Sequence, residues 1–246
     1  MNFKKDFARY EFKYLISDSL AKSLISDISY FMELDHYSKK SDTGSYKVRS
    51  LYFDDPSLTA YYDKKEGLLH RSKFRLRTYA VTPKEESPIF LEVKGRHDSR
   101  VFKHRSLLGI VFSDLAPSIN CDLNFIEKFG LDDSDFLSNF QFNYLKKNLS
   151  PIMLIDYDRS PFISKYNPDF RVTFDSQLMA YQSNSLSVEN KVCIEIVPGS
   201  SVMEVKFSRT MPSWFHRIIH NYELQRISFS KICNGLDAWG IPKYFE

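Results

Sequence analysis

Between His70 and Tyr79, cations alternate with apolar side chains: Arg71, Lys73, Arg75 and Arg77 share one parity, and Phe74 and Leu76 share the other. Successive side chains of a β-strand point to opposite faces, so the pattern predicts a strand with one basic face and one apolar face. Such alternation is what any antiparallel sheet shows when one face is wet. Cations at i and i+2 lie about 7 Å apart, and at an effective dielectric of ~20 each pair repels by roughly 2 kcal/mol. Solvent screens that repulsion on an open face. An enclosed row needs anions, and the sequence places them at the same parity elsewhere, in Glu11-Phe12-Lys13, Glu92-Val93-Lys94 and Glu204-Val205-Lys206.

The rest of the chain reads mainly as strands. Alternation predicts them over Phe7–Ile16, Tyr46–Phe53, Ile89–Lys94, Arg100–Leu108, Ile152–Asp158, Phe170–Asp175, Val192–Val197 and Val202–Phe207, with a last extended or turn segment over Ile227–Lys231. Ser17 and Asp18 begin a helix to about Met32, with Leu20, Leu24, Ile25, Ile28 and Phe31 on one stripe. Asp54-Asp55-Pro56 opens a short helical segment through Tyr61 and Tyr62, where the two aspartates serve as caps. Further helices are expected over Leu123–Phe129, Ser134–Asn148 and Pro212–Leu224. No linker divides the chain, so residues 1–246 read as a single domain of the α+β class, mainly antiparallel.

Composition removes several functions. With 34 Lys and Arg against 31 Asp and Glu the net charge is only +3, so a basic site must come from how charge is sorted. Cys121, Cys193 and Cys233 are far apart, with no C-x-x-C, so neither a disulfide framework nor structural zinc is expected. His216 and His220 have the spacing of a zinc helix, but Arg217 stands where the glutamate base would be. The charged start lacks a signal-peptide core, and no stretch is apolar enough to span a membrane, so the expected location is the cytoplasm. Nucleic acid is excluded as a partner, because the aromatics lie opposite the cations instead of beside them and glutamates are interleaved.

A carboxylate repels phosphate unless a divalent metal bridges the two. Mg²⁺ and Mn²⁺ bind through one or two carboxylates plus substrate phosphates, so cation rows with a few glutamates suit a metal-chelated triphosphate. Closure of the sheet into an eight-stranded barrel, with charged faces inward and helices packed outside, would satisfy both faces.

The strand Arg9–Lys13, Ser50-Leu51-Tyr52-Phe53-Asp54, Arg75-Leu76-Arg77, Leu91-Glu92-Val93-Lys94, Asp156-Tyr157-Asp158-Arg159, Phe170-Arg171, Met203-Glu204-Val205-Lys206 and Phe229-Ser230-Lys231 follow one another in the order seen in VTC domains. The chain therefore resembles the polyphosphate polymerase modules of the vacuolar transporter chaperone complex, in the triphosphate tunnel metalloenzyme superfamily. The resemblance implies a closed β-tunnel that binds ATP with Mn²⁺ or Mg²⁺ and builds inorganic polyphosphate. It implies a catalytic set of Lys13, Arg75, Arg77, Lys94, Arg159, Arg171 and Lys231 gripping phosphates, with Arg9, Arg71, Lys73, Lys206 and Ser230 as further substrate contacts. Glu204 would be the principal metal ligand, with Glu11 and Glu92 holding the ion through water or orienting the lysines. Arg9 stands where the wider superfamily has the first Glu of E-x-E-x-K, which favours the polymerase branch over a triphosphatase. A non-catalytic sensor of polyphosphate or inositol polyphosphates is the alternative from another class. Association with a separate membrane protein stays open. Lys103 and Arg105 are candidates for a tunnel mouth, Arg49 shares a face with Lys47, and Asp175 is expected to pair with Arg171.

Overall fold

The computed structural model describes residues 10–79, 86–97, 100–115, 119–189 and 191–241. In chain order its elements are β1 (Tyr10–Ser17), α1 (Asp18–Ile28), β2 (Met32–Leu34), β3 (Tyr46–Asp54), α2 (Thr59–Lys65), β4 (Arg71–Thr78), β5 (Pro88–His97) and β6 (Arg100–Val111). They continue with α3 (Leu123–Phe129), α4 (Ser134–Lys147), β7 (Ser150–Ser164), β8 (Arg171–Gln182), β9 (Ile194–Glu195), β10 (Ser200–Phe207), α5 (Ser213–Asn221), β11 (Arg226–Ile227) and α6 (Lys231–Ala238). The class is α+β and antiparallel, as the alternation predicts.

The expected closed, eight-stranded barrel is corrected. The described strands form one eleven-stranded sheet whose hydrogen-bonded series ends at β11 on one side and β6 on the other. Alternation tells which face of a strand is apolar but not whether the first and last strands meet. The strand β2 has only three residues, too few for a period of two to be seen, while β9 forms inside the strand expected over Val192–Val197 and β11 at the start of the extended segment expected over Ile227–Lys231, each only two residues long. The helix α6 was not expected either, since its residues 231–238 include Asn234 and Gly235, which are poor helix formers.

The contacts divide the chain into two compact units, each built from three separate stretches. One comprises Met1–Tyr46, Tyr157–Leu178 and Val197–Phe229. In it β10 pairs with β1 and β8, and β1 also pairs with β11. Tyr14, Ile16, Val172, Phe174, Met203 and Val205 turn their side chains into a cluster with Leu24 and Ile28 of α1 and Phe215 and Ile218 of α5. The alternate residues, Lys13, Arg171, Thr173, Asp175 and Glu204, are thereby fixed on the opposite face. The hydroxyl of Ser17 accepts the Leu20 N–H and starts α1 as the sequence predicts.

The second unit comprises Lys47–Asp156, Met179–Ile196 and Ser230–Glu246. Here β3, β4, β5 and β6 are successive antiparallel neighbours. Leu51, Phe53, Phe74, Leu76, Leu91 and Val93 pack with Phe125 and Ile126 of α3 and Phe136 and Phe140 of α4. Asp54 accepts the N–H groups of Ala60 and Tyr61, and Asp55 accepts those of Ser57 and Thr59, which is the capping role expected of them. Arg49 shares a face of β3 with Lys47, as the alternation predicts, but has a different environment. It is buried, and its Nε and Nη2 grip Asp156 at 2.9 and 2.6 Å. The helix α6 is held by packing, because a Cβ on Gly235 would lie 2.8 Å from Met153 Sδ and 2.9 Å from Ile155 Cδ1. Gly235→Val is therefore expected to overpack this contact and cost about 1–3 kcal/mol, read as a lower unfolding temperature.

Candidate functional site

Each unit carries a buried glutamate among cations. In the second unit the register sets Tyr52 of β3 opposite Arg75 of β4, Arg75 opposite Glu92 of β5, and Glu92 opposite Arg105 of β6. Residues directly opposite on antiparallel strands share a face, so the row crosses the sheet and its side chains meet. Glu92 is 1% exposed. Its Oε2 takes Arg75 Nε at 2.8 Å and Nη2 at 2.6 Å, with Arg77 Nη1 at 3.8 Å. On Oε1 lie Lys103 Nζ at 3.0 Å and Arg105 Nε at 3.5 Å. Burial alone would push this carboxyl up, but Arg75, Arg77 and Lys103 outweigh it and hold it well below the usual range.

Lys103, 44% exposed along its side chain, is pushed down to about 8 by burial and by the repulsion of Arg75 and Arg77, against the pull of Glu92. Tyr52 accepts a hydrogen bond from Arg75 Nη1 at 3.0 Å. Burial raises its phenol, and the charges of Arg75, Arg77 and Lys231 more than cancel that, leaving it below the ordinary tyrosine value. Arg77 also donates from Nε to Ser50 Oγ at 3.0 Å.

The other cations of this unit stand around the row. Lys73, Lys94 and Lys103 are successive cross-strand neighbours, and Lys94 is exposed. Lys73 Nζ lies 3.2 Å from Ser230 Oγ and 2.9 Å from Cys233 Sγ. Lys231 is buried in the first turn of α6. Arg71 bonds the Leu68 carbonyl and stands opposite Arg96.

In the first unit the corresponding row is Lys13 of β1, Glu204 of β10 and Thr173 of β8, and its neighbour is Glu11, Lys206 and Arg171. Glu204 is 5% exposed. Lys13 Nζ lies 3.4 Å from Glu204 Oε1 and 3.4 Å from Glu11 Oε1, and donates to the Phe229 carbonyl at 3.0 Å. Lys206 Nζ and Arg159 Nη2 lie 3.2 and 3.7 Å from Glu204 Oε2. Arg159 is gripped elsewhere, with Nε and Nη2 each 2.7 Å from the carboxylate of Asp175. The expected Asp175–Arg171 pair is thus corrected. Arg171 is exposed and donates to the Pro168 carbonyl, because the fork geometry favours two parallel bonds from Arg159.

Of the candidates from sequence, Lys13, Glu11, Glu204, Lys206 and Arg159 meet in the first unit, and Arg75, Arg77 and Glu92 meet in the second. Arg9 lies outside the described residues. His216 and His220 are exposed on α5. Among the described residues no group of three or more His, Cys, Asp or Glu is placed to hold a metal. Glu204, alone or with Glu11, fits Mg²⁺ or Mn²⁺ only as an oxygen donor whose other ligands come from phosphate and water, which is how these ions are commonly held. Beside it the Thr173 hydroxyl is buried without a hydrogen-bond partner among the described residues. Sequence reasoning missed Tyr52 and Thr173, since their neighbours become visible only once the register is known.

Glu92→Gln is expected to cost roughly 3 kcal/mol near neutral pH, because it leaves buried cations without their anion. An acid held low stabilises the fold above its unfolded value of about 4.3, and that contribution fades as pH falls further. The gap in unfolding free energy between wild type and Glu92→Gln should therefore be full at pH 7 and narrow below about pH 4.

A family model described as VTC domain matches residues 8–239. A candidate adenylate cyclase of Bacillus halodurans superposes with a TM-score of 0.50 at 14% identity, over 91% of this chain and 94% of that one. A candidate adenylyl cyclase of Hippeastrum with a dominant triphosphatase activity gives 0.49 at 11% identity, over 93% and 96% of the two chains. No curated protein matches the sequence.

Proposed function

This chain belongs to the VTC domain family, and from that premise we propose that it is a metal-dependent phosphotransferase that uses ATP to extend inorganic polyphosphate. The observation that carries the reading is the convergence of Arg75, Arg77, Lys103 and Arg105 on the single carboxylate of Glu92. A cluster with four cations and one anion favours a polyanion. The forks of Arg75 and Arg77 suit phosphate oxygens, while the lysines add point charge. Among the described residues no helix is long and apolar enough to cross a membrane.

Phosphoryl transfer depends almost entirely on positioning and charge stabilisation. A terminal oxygen of phosphate or of a polyphosphate chain attacks the γ-phosphorus of ATP, the bond to the β-phosphate oxygen breaks, and ADP leaves. The attacking oxygen is already anionic, so no side chain is needed as a base. The proposed phosphate contacts are Lys13, Arg159, Arg171 and Lys206 in the first unit, and Arg71, Lys73, Arg75, Arg77, Lys94 and Lys231 in the second, since fixed cations neutralise charge that develops toward a leaving group. Ser230 adds a hydroxyl. Glu204, with Glu11 nearby, would hold the divalent cation, which when bound withdraws charge from the phosphates. Glu92 instead orients Arg75 and Arg77.

Purified protein incubated with ATP and Mn²⁺ is expected to yield a ladder of polyphosphate lengths on a gel. Release of phosphate without a ladder would identify a triphosphatase, and binding without turnover a sensor. The double variant Arg75→Ala, Arg77→Ala should lose about 10²-fold or more in rate, and an unchanged rate would remove these residues from the site. Lys103 gives a second test. Its positive charge is lost as pH rises through about 8, so inorganic tripolyphosphate should bind less tightly above that pH, and Lys103→Arg should flatten the dependence.

A further inference from the structure

Thr173 occupies a position where a hydroxyl has no structural use. Its neighbours Val172 and Phe174 enter the apolar cluster of the first unit, so Thr173 faces the other way, with Arg171 and Asp175. It stands directly opposite Glu204 on the adjacent strand. The residue is 7% exposed, and its Oγ1 is buried with no hydrogen-bond partner among the described residues. Valine would fill the same volume on a strand without burying an unbonded hydroxyl, and buried polar groups are otherwise almost always bonded.

The surroundings say what the hydroxyl meets. Asp175 and Arg159 are held to each other by two bonds of 2.7 Å. The carboxylate of Glu204 has Lys206, Lys13 and Arg159 at 3.2, 3.4 and 3.7 Å. The cations around Glu204 can hold phosphate, but an oxygen set directly against the carboxylate is repelled by it unless a hydrated divalent cation bridges the two. Mg²⁺ and Mn²⁺ keep several waters when bound through one or two carboxylates, and those waters need acceptors. We propose that Thr173 is a positioning residue of the Glu204 site, whose hydroxyl accepts a hydrogen bond from a water in the coordination shell of the divalent cation. The inference rests on the metal role given to Glu204 above and adds to it a residue outside the acidic set.

The test is calorimetric binding of Mn²⁺ to the full chain, alone and with inorganic tripolyphosphate, for wild type, Thr173→Val, Thr173→Ser and Glu204→Gln. Thermal unfolding of each protein separates lost sites from lost folds. Partners of metal ligands typically contribute 10–100-fold in affinity, so Thr173→Val should weaken Mn²⁺ binding by about that factor and Thr173→Ser should restore it. Tripolyphosphate binding without metal should be the same in wild type and both Thr173 variants. If Thr173→Val binds Mn²⁺ like wild type while Glu204→Gln loses it, the role of Thr173 is overturned and the metal reading stands. If Glu204→Gln also keeps Mn²⁺, both fall. Equal loss of metal-free tripolyphosphate binding in Thr173→Val overturns the proposal as well, since the hydroxyl then serves phosphate directly. Should Thr173→Val not fold, Thr173→Ala is judged by the same outcomes.

Discussion

The charged faces of this protein depend on buried carboxylates that neutralise cations held closer together than water would leave them. Glu92 is the clearest case. The β4 row carries Arg71, Lys73, Arg75 and Arg77 on alternate residues, and β6 adds Lys103 and Arg105. Register places Glu92 between the two strands, opposite Arg75 and Arg105. A slip by one residue would set Val93 among the cations and drive Glu92 toward the apolar cluster, so the charged and apolar faces specify one pairing together. On the proposed function the arrangement has a consequence. Guanidinium groups already fixed by Glu92 and Tyr52 need little reorganisation when a polyanion arrives, which is the condition under which electrostatic stabilisation is most effective.

The two glutamates stand in different surroundings, and the proposed mechanism gives them different roles. Glu92 Oε2 takes two bonds of 2.6 and 2.8 Å from Arg75, while Oε1, with Lys103 Nζ at 3.0 Å, is buried without a geometrically good hydrogen bond among the described residues. The ion contacts of Glu204 run from 3.2 to 3.7 Å. In the first unit the tight grip is made by Asp175 on Arg159 instead. A buried carboxylate opposite a hydroxyl with no hydrogen-bond partner among the described residues is suited, in the proposed mechanism, to a hard cation that completes its shell with phosphate and water. Glu92 differs in that the Arg75 fork already occupies its Oε2.

Much of this was legible in the sequence, for a physical reason. A strand that buries one face must alternate, so the apolar parity of Phe74 and Leu76, or of Met203 and Val205, also fixed the parity of the cations and glutamates. The Asp54 and Asp55 caps were legible because capping is local. Long-range partners were not. Arg49 bonds Asp156 and Arg159 bonds Asp175 across strands whose register no local pattern states, and Arg171, spaced four residues from Asp175, was given that partner wrongly. Closure of the sheet was inferred from the need to enclose charge, whereas ion pairing inside each unit already meets that need. The helix α6 escapes local pattern because Asn234 and Gly235 weaken its signal, while burial of Ile232, Cys233 and Leu236 and the close approach of Met153 and Ile155 at Gly235 are tertiary features.

Crystals soaked with Mn²⁺ and inorganic tripolyphosphate, with data collected at the manganese absorption edge, test the division of labour between the two carboxylates most directly. The account predicts an anomalous peak beside the Glu204 carboxylate, none beside Glu92, and phosphate density against Arg75 and Arg77. A manganese peak on Glu92, or phosphate bound away from both arginines, would contradict it.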